Sequence, residues 1–194
     1  MPATGVLTLG AGTATFDMNG FMQTIGGLAG AGGIVNLGAG ALIIDQSGST
    51  TFSGDITGSG SLTKAGSGTL TLGGTSTYTG DTAVINGTLV LADSGALSGA
   101  TNIIVSAGAA MTLQRVGNGS LNDQSIIRVV AGGKVNLADG VNENVKQLFL
   151  GSGNTVAGTW GSFESSAKHR TDEYFTGSGM MTVEEYDGTL LIVR

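Results

Sequence analysis

Along the chain a turn residue is followed again and again by alternating apolar and Thr-like positions. The phrase Gly-x-Leu-x-Leu or a close variant occurs at residues 5–9 (GVLTL), 40–44 (GALII), 68–72 (GTLTL), 87–91 (GTLVL), 133–137 (GKVNL) and 188–192 (GTLLI). Weaker copies stand at 33–37, 60–63, 110–113 and 126–130. Period-two alternation bounded by Gly predicts short half-buried strands of about 4–6 residues. The clearest pair, beginning at Gly68 and Gly87, lies 19 residues apart, and Gly108 follows Gly87 by 21. A hairpin meander repeats every ~8–12 residues, whereas one coil of a β-solenoid needs two or three short strands with bends, hence about 20. The pattern therefore predicts an all-β chain wound as a single-stranded parallel β-helix. Leu70 should lie beneath Leu89 with both pointing inward, and Thr69 and Thr88 should point out.

Composition agrees with this reading. The 194 residues include 36 Gly, 24 Thr and 17 Ser, with one Pro and no Cys. Gly costs a helix interior about 1 kcal/mol, so all-α folds and coiled coils are excluded. Disorder is excluded too: 40% of residues are apolar, 11% are charged and mean hydropathy is +0.26, the reverse of a disordered composition. An antiparallel sandwich would need closely spaced strands joined by two-residue turns. The Asn-Gly and Asp-Gly pairs present, such as Asn86-Gly87 and Asp187-Gly188, mostly begin a new rung instead.

A net charge of −6 with only 8 Lys and Arg argues against nucleic acid or an anionic membrane surface as partner. The longest apolar runs, such as residues 41–44, are far too short for a membrane span. No basic segment precedes an apolar run at the N-terminus, so the chain is expected to be cytosolic or a piece of a longer exported protein.

Residues 51–99 (TFSGDITGSGSLTKAGSGTLTLGGTSTYTGDTAVINGTLVLADSGALSG) carry three linked phrases: residues 58–72, then Tyr78-Thr79-Gly80, then residues 86–91. In this combination the segment resembles the passenger-associated repeat of bacterial autotransporters. The resemblance implies a right-handed parallel β-helix, exported and displayed or shed at the surface of a diderm bacterium. It also implies a scaffold element with no catalytic residues. No residue is nominated as catalytic, cofactor-binding or metal-ligating, and no cofactor is expected.

The domain reading is residues 1–138 as solenoid rungs, with the family-like repeat at 51–99, and residues 139–194 as the last rungs and a C-terminal cap. About seven rungs at ~4.8 Å each would make a rod on the order of 35 Å. The change of texture at Asp139 is sharp: from that residue onward come 12 of the 22 charged residues, the only His and the only Trp. Within this stretch residues 142–148 are expected as a short helix or the last rung, 162–172 as a polar surface loop holding a solvated His169, and Trp160 and Phe175 as plugs of the solenoid end. No capping element is legible before residues 5–9, so further rungs before Thr4 or a second subunit are expected there.

Candidate chemistry is sparse. Asp55 and Asp81 are the nearest thing to a carboxylate pair, yet both follow Gly at bends where Asx turns are the commoner role. His169 has no second His and no Cys at metal-ligand spacing. Ser59 and Ser67 sit between glycines at corners, not on a nucleophile elbow. The function expected is a non-enzymatic extracellular structural or adhesive segment, a stiff scaffold that self-associates end to end or laterally or contacts other surface chains through its Thr/Ser faces. The alternative is a carbohydrate-binding or carbohydrate-cleaving β-helix that takes host or matrix glycans, with its site in the aromatic C-terminal region.

Overall fold

A computed structural model describes residues 5–184; the strand-like phrase at 188–192 lies outside them. Among the described residues there is no helix, and short strands follow one another throughout. The first coil is β1 (Val6–Leu9), β2 (Thr15–Asp17) and β3 (Gln23–Ile25). The second is β4 (Gly27–Gly30), β5 (Ile34–Asn36) and β6 (Ala41–Asp45), and the third β7 (Thr50–Phe52), β8 (Asp55–Thr57) and β9 (Ser61–Ala65). Next come β10 (Thr69–Leu72), β11 (Thr75–Ser76) and β12 (Thr82–Val84), then β13 (Thr88–Leu91), β14 (Ala96–Leu97) and β15 (Asn102–Val105). Two-strand coils follow, with β16 (Ala110–Leu113) and β17 (Ile126–Val129), then β18 (Lys134–Leu137) leading into β19 (Asn142–Val145) and β20 (Gln147–Leu150). The region that closes this end holds β21 (Gly153–Asn154), β22 (Gly158–Gly161), β23 (His169–Arg170), β24 (Phe175–Thr176) and β25 (Met180–Val183).

Strands from successive coils stack side by side. One sheet runs β1-β4-β7-β10-β13-β16-β18-β24 and another β3-β6-β9-β12-β15-β17-β20-β21, with a shorter third face of β2-β5-β8 followed by β11-β14. Apart from β20 with β21, every pair in these sheets is parallel. The result is a β-solenoid of about seven turns, as the 20-residue period predicts.

Register explains why the alternation matters. Leu70 pairs with Leu89 and Thr69 with Thr88; the leucines are wholly buried while both threonines are half-buried on the outside. The inward column of the first sheet reads Leu28, Thr50, Leu70, Leu89, Met111, Val135, Phe175. Every inward step in such a column removes an aliphatic side chain from water, worth about 1.5–3 kcal/mol per fully buried Leu or Phe. A one-residue slip would turn a whole column to solvent, so the hydrophobic pattern fixes the stacking register.

Glycine at the corners has a steric cause. A Cβ on Gly60 would overlap the carbonyl oxygen of Gly40 one coil away, so the corners stack only because that atom is missing. Gly87 combines such crowding with φ +66°, a conformation L side chains rarely adopt.

The C-terminal region breaks the period. From Val135 the inward column jumps 40 residues to Phe175, and the intervening chain forms β19 to β23. Residues 142–150 form strands, which decides the expectation there for a rung over a helix. β25 pairs parallel with β19 and antiparallel with β22, so the coil turns back on itself. Phe175, expected as a plug of this end, is wholly buried and extends the ladder beyond Val135; Trp160 is only partly buried and packs at the margin of the core.

The ladder makes a position-specific prediction. Leu89→Ala should cost about 2–5 kcal/mol through a cavity in a close-packed column, whereas outward Thr88→Ala should stay within about 0.5 kcal/mol. Urea unfolding of both variants checks this, and equal losses would contradict the inward and outward assignment.

Candidate functional site

The residues with chemical potential fall into three groups: polar side chains that interrupt the ladders, a buried carboxylate that ties down a loop, and the aromatic C-terminal region.

In the second sheet Lys64 stands between Ile44 and Val84 in an otherwise aliphatic inward column. Its side chain is wholly buried. The Nζ donates to the carbonyls of Ala65 at 2.6 Å, Gly66 at 2.9 Å and Asn86 at 3.3 Å, gathering carbonyls from corners of two successive coils. Burial pulls its ammonium below the usual lysine range, and the charge of Asp45 opposes that shift. Buried cations persist only when such partners saturate them. Lys64 is thus a corner clamp with no free donor geometry toward a substrate.

Thr82 interrupts the neighbouring column between Leu62 and Ile103. It is paired with the hydroxyl of wholly buried Tyr78 at 2.6 Å. Burial raises the Tyr78 phenol above its ordinary value, only partly offset by the Thr82 hydrogen bond. Thr50 is answered in the same way by Gln46, whose Oε1 accepts from Thr50 Oγ1 at 3.0 Å while its Nε2 donates to Gly48 and Thr69 carbonyls. These three polar breaks are closed locally, whereas the buried Ser76 hydroxyl on the third face has no hydrogen-bond partner.

Glu143, on β19, points inward and is wholly buried. Its carboxylate accepts the backbone N–H of Gly119 at 3.2 Å, Ser120 at 3.0 Å and Leu121 at 2.9 Å. Burial pushes its carboxyl up, and those three N–H donors hold it back. The contact pins the long excursion between β16 and β17 onto the solenoid. Sequence reasoning missed both Glu143 and Lys64. The available signal was parity: in NENV and SLTKA each charge falls on an inward position.

The sequence-nominated acids do not meet. Asp55 lies on β8 in the third face, where its Oδ1 accepts the Thr75 N–H at 2.8 Å. Asp81 precedes β12 of the second sheet and accepts from Asn102 Nδ2 at 3.0 Å. Each bonds to the next coil, so they act as rung-to-rung ties. Ser59 Oγ donates to the Gly38 carbonyl at 3.2 Å, and Ser67 is an exposed corner.

His169 differs from expectation. It lies on β23 and stacks on Trp160, with ring centroids 4.6 Å apart and planes 22° from parallel. Its Nε2 is enclosed and has no hydrogen-bond partner. Trp160 Nε1 donates to the Val156 carbonyl at 3.0 Å. The surrounding 162–172 stretch is no free loop: Ser162, Ser165 and Ala167 are buried, and Ser162 Oγ donates to the Gly177 carbonyl at 2.6 Å. Beside it a pocket of about 210 Å³ is lined by Ser162, Glu164, Asp172, Phe175, Thr176 and Gly177. Asp172 Oδ1 is already engaged by the Phe163 N–H at 2.8 Å. Among the described residues no group of three or more His, Cys, Asp or Glu is placed to hold a metal ion.

The architecture is therefore that of a parallel β-solenoid whose polar side chains serve its own stacking. Residues 62–91 match the passenger-associated-transport-repeat family, and the chain carries a repeat of the autotransporter passenger kind. The matched segment begins at inward Leu62 and ends at inward Leu91, enclosing Lys64, Tyr78 and Thr82. Repeat and fold together fit an autotransporter passenger segment. No curated protein and no solved structure matches the chain.

The Tyr78–Thr82 pair yields a pH prediction. Because the folded phenol is raised, the unfolded chain loses that proton first, so this contribution is fully present below about pH 10 and lost as pH rises beyond it. Tyr78→Phe should cost about 1–3 kcal/mol at neutral pH by stranding Thr82, and should flatten the alkaline fall in stability. Urea titrations from pH 7 to alkaline pH check both; an unchanged alkaline slope in the variant would contradict the assignment.

Proposed function

We propose that this chain is a non-enzymatic segment of a surface-displayed bacterial protein, a stiff rod that holds other parts of its parent away from the cell. The observation that carries this reading is the parallel stacking of two eight-stranded sheets along the chain, interrupted only at β20 with β21, together with the passenger repeat at 62–91. Rigid stacking, with Lys64, Thr82 and Glu143 engaged by the chain's own groups, suits mechanical work. The repeat family supports a location outside a Gram-negative cell. In the parent bacterium, antibody raised against this chain should label intact cells; labelling only after permeabilisation would overturn the proposed location.

The carbohydrate reading rests on the C-terminal region alone. Along the regular coils Phe52 and Tyr78 are wholly buried, so they cannot form a glycan platform. In the C-terminal region the Trp160–His169 stack is an aromatic surface, and one face of the indole is already covered by the imidazole; Phe163 is a second, exposed aromatic there. A scaffold role predicts no specific hit on a glycan array. A hit that Trp160→Ala abolishes, in a variant with an unchanged unfolding midpoint, would favour the lectin-like reading instead.

A further inference from the structure

Three Asn-Gly pairs stand in the chain, Asn19-Gly20, Asn86-Gly87 and Asn118-Gly119, and the fold treats each differently. In such a pair the backbone nitrogen of the glycine can reach the preceding side-chain amide with no Cβ in its way.

At Asn86 the parts of that reaction are already assembled. The Gly87 N–H donates to Asn86 Oδ1 at 2.8 Å, which holds the nitrogen against the amide group it would attack. The carbonyl of the same peptide, that of Asn86, accepts from the Lys64 ammonium at 3.3 Å. A cation on that oxygen withdraws charge from the peptide and favours loss of the Gly87 proton. Asn86 is exposed, so water reaches it and ammonia can leave. The corner also requires this glycine: its φ is +66°, and a Cβ there would overlap the carbonyl oxygens of Gly66 and Gly68. The residue that lets the coils stack is the one that leaves the pair reactive.

The other two pairs are held apart from this chemistry. The Gly119 N–H is committed to Glu143 Oε1 at 3.2 Å, while the Asn118 side chain is drawn off by Asp123 and by the Asn144 N–H. At Asn19 the adjacent charge is the Asp17 carboxylate, which accepts the Asn19 N–H at 2.8 Å and opposes loss of a proton beside it.

We infer that Asn86-Gly87 is a self-modification site, at which the folded chain closes a cyclic imide and opens it to isoaspartate. Gly87 N gives its proton to water and bonds to Asn86 Cγ; the Cγ–Nδ2 bond breaks, and Nδ2 takes up a proton and leaves as ammonia. Water then adds to one of the two imide carbonyls. Addition at the former main-chain carbonyl, the one polarised by Lys64, breaks its bond to Gly87 N and leaves an α-carboxylate beside the ammonium. The chain then runs on through Cβ and Cγ. Lys64 thus steers the opening toward isoaspartate and gains the new carboxylate as a partner. Water is the only co-reactant. The extra main-chain atom enters where the Gly87 carbonyl accepts the Ala110 N–H at 2.9 Å and the Thr88 N–H donates to the Gly68 carbonyl at 3.1 Å, so modification loosens the register of β10, β13 and β16. This goes beyond the scaffold reading and does not depend on where the parent is displayed.

Incubation of the purified 194-residue chain at neutral pH, followed by peptide mapping with electron-transfer mass spectrometry, reads the three pairs side by side. In the folded chain Asn86 should lose ammonia about tenfold or more faster than Asn118, and faster than Asn19. In urea, where only the local sequence acts, the three rates should converge and the share of isoaspartate at residue 86 should fall. Lys64→Met should slow the reaction at Asn86 and shift its product toward aspartate. Should that variant fail to fold, the comparison of folded and urea-treated unmodified chain decides alone. Loss of ammonia at Asn86 no faster than at Asn118 in the folded chain, an isoaspartate share indifferent to unfolding, or a chain cut after residue 86 in place of an intact modified one would each overturn the proposal. A Lys64→Met variant of unchanged circular dichroism that reacts as before would also overturn it.

Discussion

The constraint on which the molecule depends is vertical register: an inward side chain is buried because the coils above and below place their own inward side chains directly over and under it. Leu70 between Thr50 and Leu89, or Val105 between Val84 and Val129, gain their burial from neighbours about 20 residues away and give it in return. Backbone hydrogen bonds of the parallel sheets run along the same direction, so the apolar columns and the hydrogen-bond ladders reinforce one spacing. Glycine corners follow from that closeness, since Gly60 over Gly40 leaves no room for a side chain. Stability in such a quasi-one-dimensional object is close to a sum of coil-to-coil interfaces, and its ends are where the sum is incomplete.

Polar residues inside the columns show how strict the constraint is. Lys64, Thr82 and Thr50 occupy inward slots, and each is answered at once by corner carbonyls, by Tyr78 or by Gln46. Two of these answers lie inside the matched repeat, Lys64 with its carbonyls and Tyr78 with Thr82. The repeat is thus more than a run of leucines; it carries the polar fittings of one coil and its corners. These buried polar groups are spent on the stacking of the coils themselves.

Much of this was legible in the sequence because alternation and period are local. Thr69-Leu70-Thr71-Leu72 and Thr88-Leu89-Val90-Leu91 announce both strand and stacking partner. What stayed hidden depends on contacts between distant segments. Lys64 and Glu143 pass unnoticed until the strand parity is taken literally, and the partners that make their burial tolerable, the Asn86 carbonyl and the Gly119 to Leu121 amides, lie 22 or more residues away. His169 read as a loop residue because nothing in its neighbourhood is periodic; its strand pairing and its stack on Trp160 arise only once β22 and β23 meet. Asp55 and Asp81 read as a weak catalytic pair and belong to different sheets.

The most direct test of the stacked-column account is the long-range NOE network of the folded chain in solution. The account predicts side-chain contacts linking Leu70 to Leu89, Leu89 to Met111 and Met111 to Val135, with parallel backbone patterns between those strands. Contacts instead joining strands 8–12 residues apart in an antiparallel sense would contradict it.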